Sequence, residues 1–581
     1  MTQNNVTLAG AADRVFRNAK VYSVALDDTV TRAEAVAVKD GKIVYVGTND
    51  GAAPFIGDKT RITDCKGCTI LPGFGDGHMH IAFAEQRYGG VLLFDLKDLT
   101  PKKPEFYIAE IQKRIKAFME EYPETPVLLG GGWDRVWFDG SLGIYPARPI
   151  TRKDLDTALS DRPMVLLSYC GHVAIFNSKA LEVAGMLHTG VEQIPGGEIR
   201  MGEDGIPDGF VQETAAIFTI MGRIPGCSWT KEDKHDAMAF CFTEMAKQGL
   251  TIGTDYLPNK DAYDILAQMA KNGEFTLRLS GSFTVYEKSA ESDLAYAVEH
   301  RKEYEVEDLL KADAVKFFLD GNLALIEPYP PETCKAMGWA EGFRGDVLWD
   351  EENFKKIAAA AQKAGFHLHV HAMGDRAVDI AADVFGYARE QEDKDKTKRN
   401  VIVHISFIKD ETKRKMAKAG LIANVQPLWE NITYAGSAAE MKYFGKERFV
   451  NMYPNGSLMD NGIVVAFGSD FTVNPFDTFG SIQIAMTRLP LPTNQILYEC
   501  CKNEPTVNPA ECLSLQQAVK AGTINVAYEL GLENITGSIE AGKSAELVLI
   551  DRDLEATPVD KIYEIKVLET LFKGKSVYKA E

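Results

Sequence analysis

The chain has 581 residues, of which 45% are apolar and 25% charged, and a formal net charge of −19 at pH 7. These fractions are typical of soluble globular proteins, and the length predicts a large core with at least one accessory domain. The negative charge disfavours nucleic acid as a partner, and the sequence has no run of 18 apolar residues. The stretch MTQNNVTLAGAADRVF has no basic start followed by an apolar run, so we expect a protein made without a secretory signal. Nine cysteines, an odd number, favour reduced thiols, so we expect a cytoplasmic protein that does not bind membranes.

Short strand-like runs separated by Gly, Asp and Asn turns fill the first seventy residues. The same pattern returns near the end of the chain, in TGSIEAGKSAELVLIDRD and VLETLFKGKSVYK. We therefore expect residues 1–70 and 485–581 to form one composite β-sandwich, with a helical segment in its C-terminal part.

Residues 71–484 follow a different rhythm, in which short apolar strands alternate with amphipathic helical stretches such as ENFKKIAAAAQKAG and DETKRKMAKAG. Repeated β-then-α units predict a parallel sheet. There are eight candidate strands: TILPGFGDGHMH, LTIGTDY, LRLSGSF, ADAVKFFLDG, FHLHVHAMG, VIVHISF, IANVQP and VVAFGSD. Eight such units closing on themselves predict an α/β fold of the (β/α)8 TIM barrel type.

A long segment, residues 85–245, separates the first and second predicted strands. It is too long for a single crossover helix, and it contains strand-like pieces of its own, PVLLGGGWDR and PMVLLSYCGHVAIF. We interpret it as an insertion that caps the mouth of the barrel.

Two histidines, His78 and His80, stand at the end of the first predicted strand. Residues two apart on a strand face the same side, so both imidazoles can reach one metal ion. By itself this pair is a weak signal, because two ordinary polar residues at a strand end would look the same. Barrel active sites lie at the C-terminal ends of the strands, and further metal-competent groups occur there on strands four, five, six and eight: Lys316, His371, His404 and Asp470.

A lysine inside the apolar strand ADAVKFFLDG is costly unless it is neutralised or paired. Lys316 is therefore a candidate for a carbamate, formed with carbon dioxide, that would bridge metal ions through its oxygens. A lysine that extends to solvent at the sheet edge is the alternative.

Spacing alone does not distinguish among His367, His369 and His371, which share one face of the fifth predicted strand. We favour His371 as the ligand because it lies closest to the C-terminal end, and we expect the other two to be core or supporting groups. Asp470 is the candidate general base as well as a ligand, with a helix N-cap as its alternative role.

Together these motifs resemble the amidohydrolase superfamily over essentially the whole chain. PGFGDGHMH is similar to its strand-one signature, and GSIEAGKSAELVLID is similar to its C-terminal β-sandwich return. GGGWDRVWF, CGHVAIFNSKAL, VKFFLDG and HVHAMGDRAV resemble the branch that contains N-substituted formamide deformylases. The resemblance implies two divalent metal ions, usually zinc, bridged by a carbamylated lysine and held by these residues: His78, His80 and Asp470 on one ion, His371 and His404 on the other, and Lys316 between them.

The resemblance also implies that His172, in the CGHVAIFNSKAL segment, faces the substrate and takes part in catalysis. A packed loop histidine is the alternative. The chain departs from its relatives at Val403, where a glutamate often precedes the strand-six histidine. This departure bears on the substrate more than on the metal site.

We therefore predict a metal-dependent hydrolase that cleaves a C–N bond of an amide or N-substituted formamide with a metal-activated hydroxide and no organic cofactor. The alternatives are a mononuclear deaminase, a hydrolase of cyclic amides or esters, and a non-catalytic binding protein. The expected partner is a small molecule, and the sequence leaves a homodimer open. Four aromatic residues are candidates for the substrate pocket, with core packing as the alternative for those of the insertion: Trp133, Trp137, Tyr169 and Trp429.

Overall fold

The computed structural model describes residues 10–88, 90–98, 102–140, 145–169, 171–194, 197–321, 324–345, 347–394 and 396–581. The chain divides into two compact units. The barrel unit consists of Met1–His80, Phe242–Leu491 and Cys501–Glu581, and the inserted unit consists of Ile81–Cys241 and Pro492–Cys500.

The barrel unit contains an eight-stranded sheet in which every strand pairs in parallel with the next one along the chain. The first and last strands meet where the Asp470 N–H donates to the His78 carbonyl over 2.8 Å. The prediction of an α/β barrel is confirmed. Its strands are Phe74–Met79, Leu250–Leu257, Arg278–Thr284, Leu310–Phe318, His367–Ala372, Val401–His404, Ile422–Val425 and Val464–Phe467.

Both helices that the sequence pattern singled out are present. Asp350 caps Glu351–Lys363 by accepting the Asn353 N–H, and the helix buries one apolar face that includes Phe354 and Ile357. The other, Asp410–Ala419, ends at Gly420, whose φ of +64° suits a glycine C-cap. The remaining helices of this unit, apart from two that cross its boundary, are Lys260–Asn272, Ala290–Tyr304, Pro331–Met337, Asp375–Glu392, Ala438–Phe444, Lys446–Val450, Asn455–Asp460, Thr478–Thr487, Leu515–Ala521 and Ile524–Glu529.

The prediction that TILPGFGDGHMH forms a single strand is wrong. It is two strands in different sheets: Thr69–Pro72 pairs with strands from both termini, and only Phe74–Met79 belongs to the barrel. An apolar run does not reveal where a chain passes from one sheet to another, because both strands are buried.

Strands from both ends of the chain form two further sheets. A shared hydrophobic core that includes Phe16, Val36, Ile70 and Leu547 lies between them, as in a β-sandwich. The four-stranded sheet has the order Lys42–Gly47, Ala35–Lys39, Arg14–Arg17, Arg61–Asp64. The six-stranded sheet has the order Lys575–Lys579, Val567–Phe572, Leu547–Ile550, Thr69–Pro72, Lys20–Val24, Val30–Ala33.

The inserted unit is built on a mixed six-stranded sheet with hydrophobic clusters on either side. The order of its strands is Glu198–Met201, Pro207–Gln212, Val173–Phe176, Met164–Ser168, Leu128–Trp133, Val91–Leu92. Its helices are Glu85–Tyr88, Pro104–Glu121, Arg152–Asp156, Ser178–Val183 and Thr214–Met221, while Lys231–Lys247 and Gln495–Cys501 cross the boundary between the units. That this unit caps the barrel mouth stays a prediction.

The sequence also predicts that the chain does not bind membranes and that its cysteines are reduced. Within the described ranges, no helix has both the length and the apolar character that crossing a bilayer requires. The eight described cysteines are free thiols. Cys65 packs into the core of the sandwich, and Cys68 packs against that core.

Candidate metal centre

The end of the first barrel strand and the loop after the eighth bring three candidate ligands together. Asp470 Oδ1 lies 2.9 Å from His80 Nε2 and 3.3 Å from His78 Nε2. One ligand atom from each of the three residues falls within 4.8 Å of the others, a spacing that suits a single metal ion. His78 and Asp470 are buried, while the His80 side chain keeps 19% of its surface exposed. These three candidate ligands are therefore buried at His78 and Asp470 and accessible to solvent at His80.

The fifth and sixth strands extend this cluster. The rings of His78 and His404 have centroids 5.2 Å apart, and those of His404 and His371 are 4.4 Å apart. His78 in turn lies 4.9 Å from His80. Four imidazoles thus form one continuous row across the C-terminal ends of three strands.

Lys316 is fully enclosed near this row, with 1% of its surface exposed. Its Nζ makes no hydrogen bond to any described residue and lies 5.2 Å from the centroid of the Phe318 ring. Burial lowers the pKa of Lys316 to about 7, although Asp470 and Glu529 oppose that shift. A buried amine with a depressed pKa and no partner is the form that can combine with carbon dioxide.

The electrostatics of the row favour metal binding over protonation. Burial, assisted by Lys316, lowers the pKa of His78 to about 3, and burial holds the pKa of His404 well below its usual value. Burial alone would raise the pKa of Asp470, but hydrogen bonding with His78 and His80 holds it well below the ordinary range. Neutral imidazoles beside an ionised carboxylate are the protonation states that a divalent cation requires.

Asp320 anchors His371. It is fully buried, and its Oδ1 accepts the Nδ1–H of His371 over 3.0 Å. The carboxylate also accepts backbone N–H groups from Leu325, Met373 and Gly374. Because Nδ1 carries the proton, Nε2 of His371 is left with a lone pair for a metal ion.

His404 has an anchor of a different kind. Its Nδ1 lies 2.7 Å from Gln426 Oε1, Gln426 Nε2 donates to Asn424 Oδ1, and Asn424 Nδ2 donates to Glu529 Oε2, each over 2.9 Å. Burial raises the pKa of Glu529 to about 8, although the Asn424 bond opposes that shift. The histidine is thereby connected to a buried carboxyl group through two amide side chains.

Aromatic rings lie against three histidines of the row. The Tyr256 ring lies 5.3 Å from His80 and 5.4 Å from Phe318, and the Phe318 ring lies 5.9 Å from His371. The hydroxyl groups of Tyr256 and Tyr286 are 2.9 Å apart. Trp429 stacks on His404 with an interplanar angle of 1° and a centroid distance of 5.1 Å. Trp429, a predicted substrate contact, thus lies at the candidate site.

Two candidate ligands adopt strained backbone conformations. His404 has a φ of +82° and Asp470 a φ of +55°, and Ile405, which follows His404, has a φ of +48°. Side-chain-bearing residues rarely adopt such angles, which persist only where surrounding contacts impose them. The sixth and eighth strands thus end in backbone turns that the ligands themselves occupy.

The other histidines of the fifth strand, His367 and His369, lie nearer to its N-terminal end. His369 is 4% exposed, and burial holds its pKa well below the usual value. His367 accepts the Arg399 N–H at Nδ1 over 2.7 Å.

The N-cap alternative for Asp470 is excluded, because the following helix Thr478–Thr487 is capped by Asp477.

The predicted aromatic contacts of the inserted unit lie largely in its core. Trp133 is fully buried and donates from Nε1 to the Leu166 carbonyl, and Trp137 stacks on Tyr107 at 4.4 Å. These contacts agree with the core alternative, and a role of either tryptophan in a substrate pocket stays a prediction. Core and pocket aromatics share the same sequence pattern, so the motif GGGWDRVWF could not separate them. Tyr169 is half-buried and donates its backbone N–H to Trp133.

His172 also lies in the inserted unit. Its Nδ1 is 3.0 Å from Glu213 Oε2, and 41% of its side chain is exposed. The Glu213 N–H donates to the His172 carbonyl over 2.7 Å, and Glu213 has a φ of +72°. The histidine is therefore oriented by a carboxylate and accessible, whereas its contact with substrate stays a prediction.

Comparison with known proteins agrees with the chemistry of this site. Residues 61–578 match the profile of the amidohydrolase family. The chain belongs to that family. N-substituted formamide deformylase of Arthrobacter pascens is 26% identical over 576 residues, which cover 97% of each chain. The Protein LONG AFTER FAR-RED 3 of Arabidopsis thaliana is 26% identical over 98% of this chain and 92% of its own.

A solved structure supports the fold of this amidohydrolase. An uncharacterized metal-dependent hydrolase from Pyrococcus furiosus superposes with a TM-score of 0.68 at 21% identity, covering 93% of this chain and 99% of the other. At that identity the likeness concerns the architecture. Membership in the family confirms the prediction of a metal-dependent hydrolase at the level of enzyme class.

The site of this amidohydrolase fits divalent metal ions. Its donors are imidazole nitrogens and a carboxylate, which suit zinc, and the unpartnered Lys316 Nζ lies in a dry enclosure. Without an ion, burying the His78 and His404 imidazoles beside the unpartnered Lys316 amine carries a desolvation cost that no described partner of Lys316 offsets.

Several residues around the site were missed from the sequence. Asp320 stands in the motif VKFFLDG, and its position two residues beyond a buried strand was a usable signal. Tyr256 ends the predicted strand LTIGTDY and Phe318 ends the observed strand Leu310–Phe318, so both could have been found in the same way as the histidines. Glu529 carries no local signal, since it lies 105 residues from Asn424 in sequence.

Proposed function

We propose that this amidohydrolase hydrolyses the C–N bond of an N-substituted amide, with N-substituted formamides as the preferred substrate class. The single observation that carries the proposal is the convergence of the imidazole row, Asp470 and the unpartnered Lys316 at the C-terminal end of the barrel. Active sites of this fold are built at that end.

Each candidate ligand has an assigned place in the proposal. His78, His80 and Asp470 would hold one ion, since their ligand atoms already lie within 4.8 Å of one another. His371 and His404 would hold a second through Nε2, because Nδ1 of each is engaged by another side chain. Lys316, as a carbamate, would supply oxygens between them.

Divalent metal ions bound there would lower the pKa of water towards neutrality and polarise the substrate carbonyl. Asp470 is the proposed proton carrier: its ionised carboxylate would accept a proton from the attacking water and deliver it to the nitrogen of the departing amine. The bond that forms joins the water oxygen to the carbonyl carbon, and the bond that breaks is C–N. The products are a carboxylic acid, which is formic acid for a formamide, and an amine.

The rings beside the row support a hydrophobic substituent on the substrate. Tyr256, Phe318 and Trp429 lie against His80, His371 and His404 respectively. Aromatic walls of this kind bind flat or apolar groups and exclude water from the reacting atoms. The formamide deformylase relative, at 26% identity over 97% of both chains, supports the same substrate class.

A mononuclear centre, as in the deaminase alternative, is the second candidate. The observation that favours it is that His78, His80 and Asp470 form a complete three-ligand set without the other residues. A deaminase of this kind would need a carboxylic acid beside the strand-five or strand-six histidine to move protons. The described neighbours of His371 and His404 include Asp320, but its carboxylate is held by backbone N–H groups and faces Nδ1.

A substrate panel tests the proposal. Zinc-reconstituted protein is assayed with N-alkyl and N-arylalkyl formamides, acyl-amino acids, cyclic imides, aminopurines and esters of matched size. We expect the highest kcat/KM with formamides that carry an apolar N-substituent. Turnover of esters or lactones alone would refute C–N specificity, and ammonia release from aminopurines alone would favour the deaminase.

A further inference from the structure

Two candidate ligands are anchored through Nδ1, and only one of them contacts a carboxylate directly. The anchor of His404 is an amide, and an amide side chain can present either an oxygen or an N–H group to its neighbour. The hydrogen bond between Gln426 and His404 therefore does not by itself decide which ring nitrogen of His404 carries the proton. Whatever fixes the orientation of Gln426 also fixes the tautomer of His404.

We propose that Glu529 is a positioning residue for His404: it sets the direction of a buried hydrogen-bond relay through Asn424 and Gln426 that keeps the proton of His404 on Nδ1 and its Nε2 free to bind metal. This inference rests on the proposed metal-dependent function. It assigns to the C-terminal helix Ile524–Glu529 a role in the barrel site.

The direction of the relay follows from the chemistry of its last member. An ionised carboxylate accepts hydrogen bonds and donates none, so Asn424 must turn its Nδ2 towards Glu529. Asn424 Oδ1 then faces Gln426 Nε2, which turns Gln426 Oε1 towards His404. An oxygen at that place requires an N–H on Nδ1. In the neutral acid the same direction holds when the proton is on Oε1, so that Oε2 still accepts from Asn424, whereas a proton on Oε2 would reverse it.

Burial makes the groups of this relay depend on one another. Asn424 has no exposed surface, and Gln426 and Glu529 each keep 2%. Water therefore does not compete for the amide groups, and an incorrectly oriented amide would leave buried donors facing each other. The relay has to be satisfied as a unit.

Two glycines make room for the relay. A Cβ atom on Gly77 would lie 2.3 Å from Asn424 Nδ2 and 2.5 Å from Glu529 Oε2. A Cβ atom on Gly468 would lie 2.7 Å from Asn424 Oδ1 and 2.8 Å from the backbone nitrogen of His78. The strands that carry His78 and lead to Asp470 thus pass directly against the relay, and glycine is the residue that both close approaches allow.

The test reverses and then restores the direction of the relay. Glu529→Gln keeps the size but offers a donor as well as an acceptor, so both amide orientations become available. The double variant Asn424→Asp with Glu529→Gln moves the acceptor-only group one step closer to Gln426 and should restore the original direction. Glu511→Gln is the matched control, since Glu511 is buried and accepts the Ser457 N–H, which is not part of the relay.

The first readout is the ring tautomer of His404 in metal-free protein, from histidine-selective ¹⁵N NMR with His404→Asn for assignment. The second is zinc affinity by chelator competition. Above pH 8, where the Glu529 carboxyl is ionised, we expect wild type, the double variant and Glu511→Gln to hold the Nδ1–H tautomer. Glu529→Gln should populate both tautomers and bind zinc about 10-fold more weakly, as is typical of lost outer partners of a ligand.

An Nε2–H tautomer in the wild type would overturn the proposal without any variant, as would a single Nδ1–H tautomer and unchanged zinc affinity in Glu529→Gln. A double variant no better than Glu529→Gln would show that the carboxyl acts through packing rather than through direction. If wild type held the expected tautomer but bound no zinc, the proposed function would fail while the relay stood.

Discussion

The two halves of the candidate metal centre are held in place in different ways. His78, His80 and Asp470 lie where the first and last barrel strands meet, and a backbone hydrogen bond between Asp470 and His78 brings them together. His371 and His404 lie on neighbouring strands and are oriented by side chains that come from elsewhere in the chain.

This difference shows how a barrel builds a site from distant segments. Where strands close the barrel, backbone pairing alone places the ligands within 4.8 Å of one another. Where ligands stand side by side on parallel strands, each ring can still rotate and change tautomer, and a buried acceptor has to fix both. We expect perturbations of the first half to abolish catalysis and perturbations of the second half to weaken it in steps.

The largest effect should follow from Asp470→Asn. This change removes a ligand of the first half and the proposed proton carrier, so we expect kcat to fall by about 10⁴-fold. Asp477→Asn is the control, because Asp477 is a half-buried helix cap and asparagine caps helices about as well as aspartate; it should leave both stability and kcat nearly unchanged. Equal activity of Asp470→Asn and wild type in steady-state assays would remove Asp470 from the mechanism.

Lys316→Met breaks the proposed link between the halves. We expect bound zinc to drop from two ions to one per chain and kcat/KM to fall by about 10²-fold, or about 2.7 kcal/mol of transition-state stabilisation. Metal analysis by mass spectrometry and kinetics measure both. Lys413→Met, which removes another buried lysine whose Nζ donates to Asp410 and Ser457, should keep two ions. Two ions and full activity in Lys316→Met would contradict the carbamate.

Asp320→Asn should affect the second half alone. The amide keeps the size of the side chain but no longer enforces a proton on His371 Nδ1, so we expect the weaker zinc to bind about 10- to 100-fold less tightly. Chelator competition measures this loss, and urea unfolding separates it from the destabilisation caused by weaker bonds to the backbone N–H groups. A loss of both ions to the same extent would show that the halves are not independent.

The smallest effect concerns pH and metal-free protein. The pKa of Glu529 is raised from 4.5 to about 8, chiefly by burial, so the folded state holds this proton in a range where the unfolded chain has released it. Its contribution to stability is present below pH 4.5 and is lost as the pH rises through 8. Glu529→Gln should therefore gain stability relative to wild type between pH 5 and 8, by at most about 1.4 kcal/mol per pH unit. A difference in unfolding free energy that does not change with pH would contradict this shift.

The sequence predicted the first half of the site better than the second. His78, His80 and Asp470 could be inferred because each stands at the end of an apolar strand, and strand ends converge in a barrel. Asp320, which orients His371, could have been inferred in the same way, whereas Glu529, which lies at the end of the relay to His404, comes from a helix outside the repeating pattern. Side-chain hydrogen bonds between distant segments have no period in the sequence.

The barrel strands were predictable from the alternation of apolar strands and amphipathic helices, with the first strand as an exception. Thr69–Pro72 and Phe74–Met79 read as one apolar strand, yet they belong to two sheets, because burial on all sides hides the change of partner. Trp133 and Trp137 show the complementary limit: an aromatic motif predicts burial but not whether the buried face belongs to a core or to a pocket.

The central claim is that this amidohydrolase cleaves a C–N bond with two metal ions shared by both halves of the site. Its most direct test is a zinc titration of metal-free protein, followed by amine release from an N-arylalkyl formamide. The account predicts no turnover without metal and a linear rise that breaks at two zinc ions per chain. A break at one ion would leave the second half without a metal-binding role, and full turnover by the metal-free protein would contradict the account.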